Sequence, residues 1–260
     1  MPGKINLLSP KASFQEARVG ILYYPSDANL KVDIGNSLDI LNYSNEFRSL
    51  TISTGIDFFA YAWSKTIAGN RLQISALDGF FGGHLTVIKK NKSDKIYGRF
   101  RFIHNSAHLV DGNWNSKDKK WRDDYEPIPY TKDFAELQIG TIRKMAEFEL
   151  NFYSSFSYAT LVRPASMNEF GFNAGSEIYY KYSNSLFGKP SNVFIAYHFG
   201  LEGKPNLIPT HNILIGNKFG EIGNEGVVLY LSYLYGNTPF NEFFLNREER
   251  FGIGFFVEFL

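Results

Sequence analysis

Arg99-Phe100-Arg101-Phe102-Ile103-His104-Asn105-Ser106 decides how the whole chain is read. Successive side chains of a strand point to opposite faces. Phe100, Phe102, His104 and Ser106 therefore share one side, while Arg99 and Arg101 take the other. In a water-soluble sheet the arginines face water and the phenylalanines a core. In a membrane barrel the phenylalanines face lipid, the arginines line the lumen, and the His-Ser pair lies on the lipid side. The rest of the chain separates these two pictures.

The same alternation recurs along the sequence, roughly at 18–24, 29–42, 50–64, 71–88, 95–109, 134–144, 146–162, 169–182, 192–202, 211–219, 226–236 and 250–260. In 147–152 the acids Glu147 and Glu149 with Asn151 take one face, and Phe148, Leu150 and Phe152 the other. Val193, Ile195, Tyr197 and Phe199 fall together. So do Phe251, Ile253, Phe255, Val257 and Phe259, opposite glycines and Glu258. A tilted transmembrane strand needs about 9–11 residues, which most of these segments reach. The aromatic faces are too many for one small interior, so a soluble sandwich or lipocalin-like barrel is the lesser reading. The pattern predicts an all-β chain, a transmembrane antiparallel β-barrel of about 12 strands, an even number as such barrels prefer.

Composition agrees. The 260 residues include 25 Phe, 16 Tyr and 23 Gly, and no stretch of about 18 apolar residues offers a transmembrane helix. The net charge of +1 gives no electrostatic case for nucleic acid. Cysteine is absent, which removes disulfides, thiol nucleophiles and thiolate metal sites. The start, MPGKINLLSPKASF, lacks a secretory signal and reads as a mature form with a start Met restored. No linker divides the chain. Residues 1–17 are expected to form a periplasmic N-terminal segment and 18–260 the barrel, in the bacterial outer membrane. With both ends in the periplasm, the inner turns fall at 43–49, 89–94, near Met145, 183–191 and 220–225. The two longest outer connections are 110–133 and 237–249.

In this frame the opening strand rises from Lys95 and brings His104 and Ser106 to the outer interface, where acyl esters lie. Serine becomes a nucleophile when a base takes its proton, histidine is the usual base, and a third polar group fixes the imidazole. The candidate site is Ser106 as nucleophile, His104 as base, and Asn115 or Asp111 from the following loop as the orienting group. That loop, with Asp111 and Asp118, also offers carboxylates to calcium, the one cofactor considered, to stabilise an oxyanion. The partner is the lipid of the outer leaflet; a homodimer and an envelope partner protein both stay open. His84, His108, His198 and His211 show no metal-ligand spacing and read as structural. Tyr23-Tyr24, Tyr61, Trp63, Tyr179-Tyr180, Tyr233 and Tyr235 read as interfacial girdles. Arg99, Arg101, Glu147 and Glu149 read as a lumenal ion network that blocks the pore. The alternative to an enzyme is a non-catalytic barrel: a narrow channel, an assembly partner or a structural envelope protein.

A lipid-facing His104-x-Ser106 followed by Trp114-Asn115 resembles the outer-membrane phospholipase A family. Its His and Ser lie two apart, and a downstream Trp-Asn completes the triad. Ile21-Leu-Tyr-Tyr-Pro-Ser-Asp-Ala-Asn29 and the last hairpin, Tyr235-Gly-Asn with Arg250-Phe-Gly-Ile-Gly-Phe255, extend the resemblance to both ends. It implies a serine-dependent lipid acyl hydrolase with Ser106, His104 and Asn115 in those roles. Lipid A deacylase barrels also carry His-x-Ser, with an acidic third member. The chain departs from both where Ala107-His108 follows Ser106. His104-Asn-Ser-Ala-His-Leu-Val-Asp111 is more similar to an uncharacterised envelope family with His-x-Ser-Ser-His-Leu-Gly-Asp, which implies no activity.

Overall fold

Alternation on the scale of whole strands produces a closed sheet. The computed structural model describes residues 5–67, 71–108, 114–121, 126–186, 188–203 and 206–259. Its strands are β1 (Val19–Tyr24), β2 (Asn29–Asn45), β3 (Leu50–Ile67), β4 (Arg71–Asn91), β5 (Asp94–His108), β6 (Trp114–Asn115), β7 (Lys120–Trp121), β8 (Tyr130–Met145), β9 (Phe148–Arg163), β10 (Phe170–Leu186), β11 (Lys189–Gly203), β12 (Leu207–Phe219), β13 (Gly226–Asn237) and β14 (Arg247–Glu258). All but β6 and β7 form one twelve-stranded antiparallel barrel in sequence order, closed by β1 against β14. β6 and β7 form a separate small hairpin in the β5–β8 connection. The two longest connections, β5–β8 and β13–β14, lie at the same end of the barrel, the one read as outer.

The outer wall is apolar: Ile34, Phe58, Phe81, Phe102, Leu137, Ile195, Leu231 and Phe251 are all exposed. Arg99, Arg101, Glu136 and Glu177 are buried in the lumen. A wall apolar outside and charged inside fits lipid and not water.

Strict alternation corrects several sequence readings. Tyr23, Tyr180 and Tyr235 face outward, but Tyr24, Tyr61, Trp63 and Tyr179 take the opposite parity and are buried in the lumen. A girdle assigned by tyrosine pairs fails because neighbours along a strand cannot face the same way. Glu147 is exposed in the inner turn ahead of β9, so Glu149 alone of that pair faces inward.

Lumenal aromatics are seated on glycines of a neighbouring strand. Tyr97 lies opposite Gly140, Tyr153 opposite Gly175 and Phe59 opposite Gly35. A Cβ at Gly140 would lie 2.3 Å from the Tyr97 ring. Gly140→Val must therefore displace a buried ring. The expected cost is about 1–3 kcal/mol, measurable as a lower urea midpoint of the lipid-reconstituted barrel.

The N-terminal segment expected in the periplasm instead fills the lumen from its inner end. Lys11 donates from its backbone N–H to Glu177 (2.5 Å) and from Nζ to Glu258 (2.6 Å), which Lys218 also meets. Higher up, Glu16 takes two hydrogen bonds from Arg99, at 3.0 and 2.5 Å, and one from Arg101 at 3.3 Å. Arg101 in turn donates to Glu136 at 3.0 and 2.7 Å. This segment carries charge complementary to the wall it meets, which keeps it inside.

The outer half of the lumen is closed by the β13–β14 connection. Phe240 stacks on Trp63 with ring centroids 5.3 Å apart, and Phe243 meets the same indole edge-on at 5.6 Å. Asn241 donates from its side chain to Asp78 (2.8 Å) and to Asn105 (3.1 Å). Phe59, Phe80, Ile103, Phe134 and Phe244 complete an apolar core inside the barrel.

Candidate functional site

β5 carries Phe100, Phe102, His104, Ser106 and His108 on its outer face, and Arg99, Arg101, Ile103, Asn105 and Ala107 on its inner one. His104 and Ser106 therefore lie on the lipid side, toward the outer end of the strand. Ladder pairing sets Asp133 of β8 across from His104 and Thr131 across from Ser106.

Two hydrogen-bonded pairs result. His104 Nδ1 lies 2.6 Å from Asp133 Oδ1. Ser106 Oγ lies 3.1 Å from His108 Nε2. The hydroxyl thus sits between two imidazoles on one strand face, bonded to the one above it, while the one below is held by a carboxylate. With Nδ1–H donated to Asp133, His104 keeps Nε2 free as an acceptor, the arrangement by which a carboxylate orients a catalytic base. The His104 side chain is 51% exposed and Asp133 31%, so the pair is open to whatever lies against the wall.

Asp133 is aimed by a local irregularity. The β8–β9 register slips between Asp133 and Phe134, leaving Thr160 as the extra residue on β9. Thr160 donates from Oγ1 to the Asp133 carbonyl at 3.3 Å. Bulges of this kind re-aim side chains and are frequent beside functional sites.

Asn115 is engaged elsewhere. Its amide donates to Asp118 at 2.7 Å, and its Oδ1 accepts the backbone N–H groups of Lys117 and Asp118 at 3.1 and 3.2 Å. These bonds close the β6–β7 turn, across which Trp114 and Trp121 pack edge to face. The alternative orienting residue, Asp111, lies outside the described residues. Among the described residues, no group of three or more His, Asp and Glu is arranged to hold a metal ion.

The remaining histidines have structural partners. His84 bridges Asp39 (2.8 Å) and Asp57 (3.1 Å) in the lumen. His198 meets the Tyr153 hydroxyl and His211 that of Tyr197, each at 2.8 Å.

Below His104 the wall is indented. Gly83 faces outward among Phe81, Leu85, Phe100 and Phe102, at the floor of an open groove of about 590 Å³ along the wall. His104 and Asp133 form its polar end.

Fold and wall define an integral β-barrel of the bacterial outer membrane. No family model matches the sequence, and no curated protein matches it either. Among solved structures, the chain is similar to the toluene transporter TodX of Pseudomonas putida, with 12% identity and a TM-score of 0.45 over 88% of this chain and 68% of that one. It is similar to the monoaromatic hydrocarbon channel CymD, with 11% identity and a TM-score of 0.45 over 88% and 72%. It is also similar to the β domain of the Bordetella autotransporter BrkA, with 12% identity and a TM-score of 0.43 over 91% and 94%. These likenesses extend to the barrel and no further.

Proposed function

We propose that the protein is an interfacial acyl hydrolase acting on carboxylic esters of outer-leaflet lipids. Ser106 is the nucleophile, His104 its base, and Asp133 the residue that orients the base in place of Asn115. The observation that carries this reading is the His104–Asp133 bond of 2.6 Å beside a lipid-facing serine. A turn of χ1 moves Ser106 Oγ from His108 toward His104. Attack on the ester carbonyl passes the hydroxyl proton to His104 Nε2, which returns it to the departing alcohol. Water then cleaves the acyl-serine by the same route. His108 is placed to hold the resting hydroxyl.

The groove at Gly83 supports the same reading, since an acyl chain lying in it places its ester at the polar end. Leu85, which lines it and faces outward, gives a test that spares folding. Leu85→Trp fills the groove, and KM for a long-chain lipid ester is expected to rise about tenfold while kcat holds. A short-chain soluble ester should show no change.

The filled lumen favours a second reading, a closed and non-catalytic envelope barrel. Purified wild-type protein in mixed micelles of phospholipid or lipid A, with and without calcium, separates the two. Serine-dependent fatty acid release supports the hydrolase, and its absence under all of these conditions leaves the closed barrel.

A further inference from the structure

The outer face around Ser106 is asymmetric. Gly79 of β4 pairs with Ser106, and Ala60 of β3 pairs with Gly79. On the opposite side Thr131 of β8 pairs with Ser106, and Arg163 of β9 pairs with Thr131. One row across the wall therefore reads Ala60, Gly79, Ser106, Thr131, Arg163. It carries only small residues on one side of the hydroxyl and ends in a guanidinium on the other.

The register slip that accompanies Asp133 also sets the direction of Arg163. Ala159 is buried and faces inward, so strict alternation from it would turn Leu161 and Arg163 inward and Val162 outward. The extra residue, Thr160, reverses this. Val162 is buried, while Leu161 and Arg163 are exposed on the outer face. Arg163 is the last residue of β9 and so lies at the outer rim. Its guanidinium donates to the Val162 carbonyl at 3.0 Å, and among the described residues no carboxylate pairs with it. The Thr131 hydroxyl is engaged, donating to the Asn105 carbonyl at 3.0 Å.

Arg163 is thus an outward cation without an acidic partner among the described residues, at the level of the lipid headgroups. Neighbouring strands lie about 4.8 Å apart, so two strands set Arg163 about 10 Å from Ser106 along the row. The long arginine side chain covers much of that interval, and the few bonds between a lipid ester and its phosphate cover the rest. A guanidinium fork matches the oxygens of a phosphate in pairs.

We propose that Arg163 binds the phosphate of the lipid whose ester lies at Ser106, so that the site takes phosphorylated lipids in preference to neutral ones. Gly79 and Ala60 leave the other side of the row open to the acyl-bearing part of the molecule. The placement of the ester rests on the hydrolase reading; the phosphate site is testable without it.

Calorimetric titration of the full-length Ser106→Ala barrel in neutral detergent reads binding without turnover. Dihexanoyl phosphatidylglycerol is expected to bind roughly tenfold tighter than dihexanoyl glycerol. Arg163→Gln should abolish the difference, and Arg163→Lys should keep part of it. Lipid A titrated beside its dephosphorylated form distinguishes the two sources of such a phosphate, and phosphate-dependent binding of either supports the site. In the active protein, Arg163→Gln should raise KM for the phosphatidyl ester about tenfold, while kcat and the KM for the neutral ester hold. Arg247→Gln removes another exposed arginine of the outer rim, at the start of β14, and should change neither KM. Binding that depends on Arg163 without any ester cleavage would retire the hydrolase reading and leave the phosphate site. The proposal is overturned if neither lipid pair shows a phosphate preference, if Arg163→Gln leaves that preference intact, or if Arg247→Gln raises KM as much as Arg163→Gln does.

Discussion

Replacing Ser106 with alanine is expected to lower lipid ester cleavage by about 10⁴-fold or more. Loss of one hydroxyl from an outward position leaves the lumenal core intact, so the barrel should still migrate as a heat-modifiable band. Asp133→Asn should cost nearly as much, because the amide no longer holds His104 in the tautomer that presents a free Nε2. His108→Ala should cost much less, since that imidazole holds the resting hydroxyl without a carboxylate behind it. The opposite ranking, with His108 indispensable and His104 dispensable, would move the base to His108. Equal activity of Ser106→Ala and wild type would end the hydrolase reading.

The second large effect concerns the lumen. Glu16 is the carboxylate of the N-terminal segment that meets both Arg99 and Arg101. Glu16→Lys would place a third cation against two buried guanidinium groups, which keep Glu136 as their remaining ion-pair partner among the described residues. Breaking a buried ion pair by removing one partner costs roughly 3–5 kcal/mol, and reversing the charge costs more. The segment is joined to β1 by a short tether and is not itself a strand of the barrel, so the expected result is its displacement, not a collapsed barrel. In planar bilayers the wild type should pass no steady current, and Glu16→Lys should open in discrete steps. Steps of equal size and frequency in both proteins would show that the segment does not seal the lumen.

Most of the barrel was legible in the sequence because its rule is local. Alternation with period two names the face of every residue once one face is known, and Arg99 and Arg101 beside Phe100 and Phe102 supply that knowledge. The rule also shows where tyrosine pairs such as Tyr23-Tyr24 had to be divided between lipid and lumen. The lumenal segment was not legible, since Lys11 and Glu16 become informative only when Glu177, Glu258, Arg99 and Arg101 are brought together by closure. At the candidate site, Ser106 and His104 can be paired from the sequence because they share a strand. Asp133 does not stand out in the sequence because it belongs to a neighbouring strand, at the end of the long connection expected over 110–133. Its signal was a lone acid at the head of the outward set Asp133, Ala135, Leu137 and Ile139. Asn115 was favoured by its Trp-Asn context, yet its amide serves the turn that it closes.

The inward fold of the β13–β14 connection also sets what the cell shows to its surroundings. Asn237, Phe240, Asn241, Phe243 and Phe244 are buried, so one of the two longest outer loops contributes little to the exterior. Among the described residues of the β5–β8 connection, the β6–β7 hairpin is exposed, with Trp114 half exposed and Lys117, Lys119 and Lys120 facing solvent. An antibody or phage fibre approaching the bacterium would meet a basic hairpin braced by two indoles, while the aromatic cap over the lumen stays out of reach. Variation that escapes such a binder can therefore accumulate in that hairpin without disturbing either the barrel core or the row of side chains around Ser106.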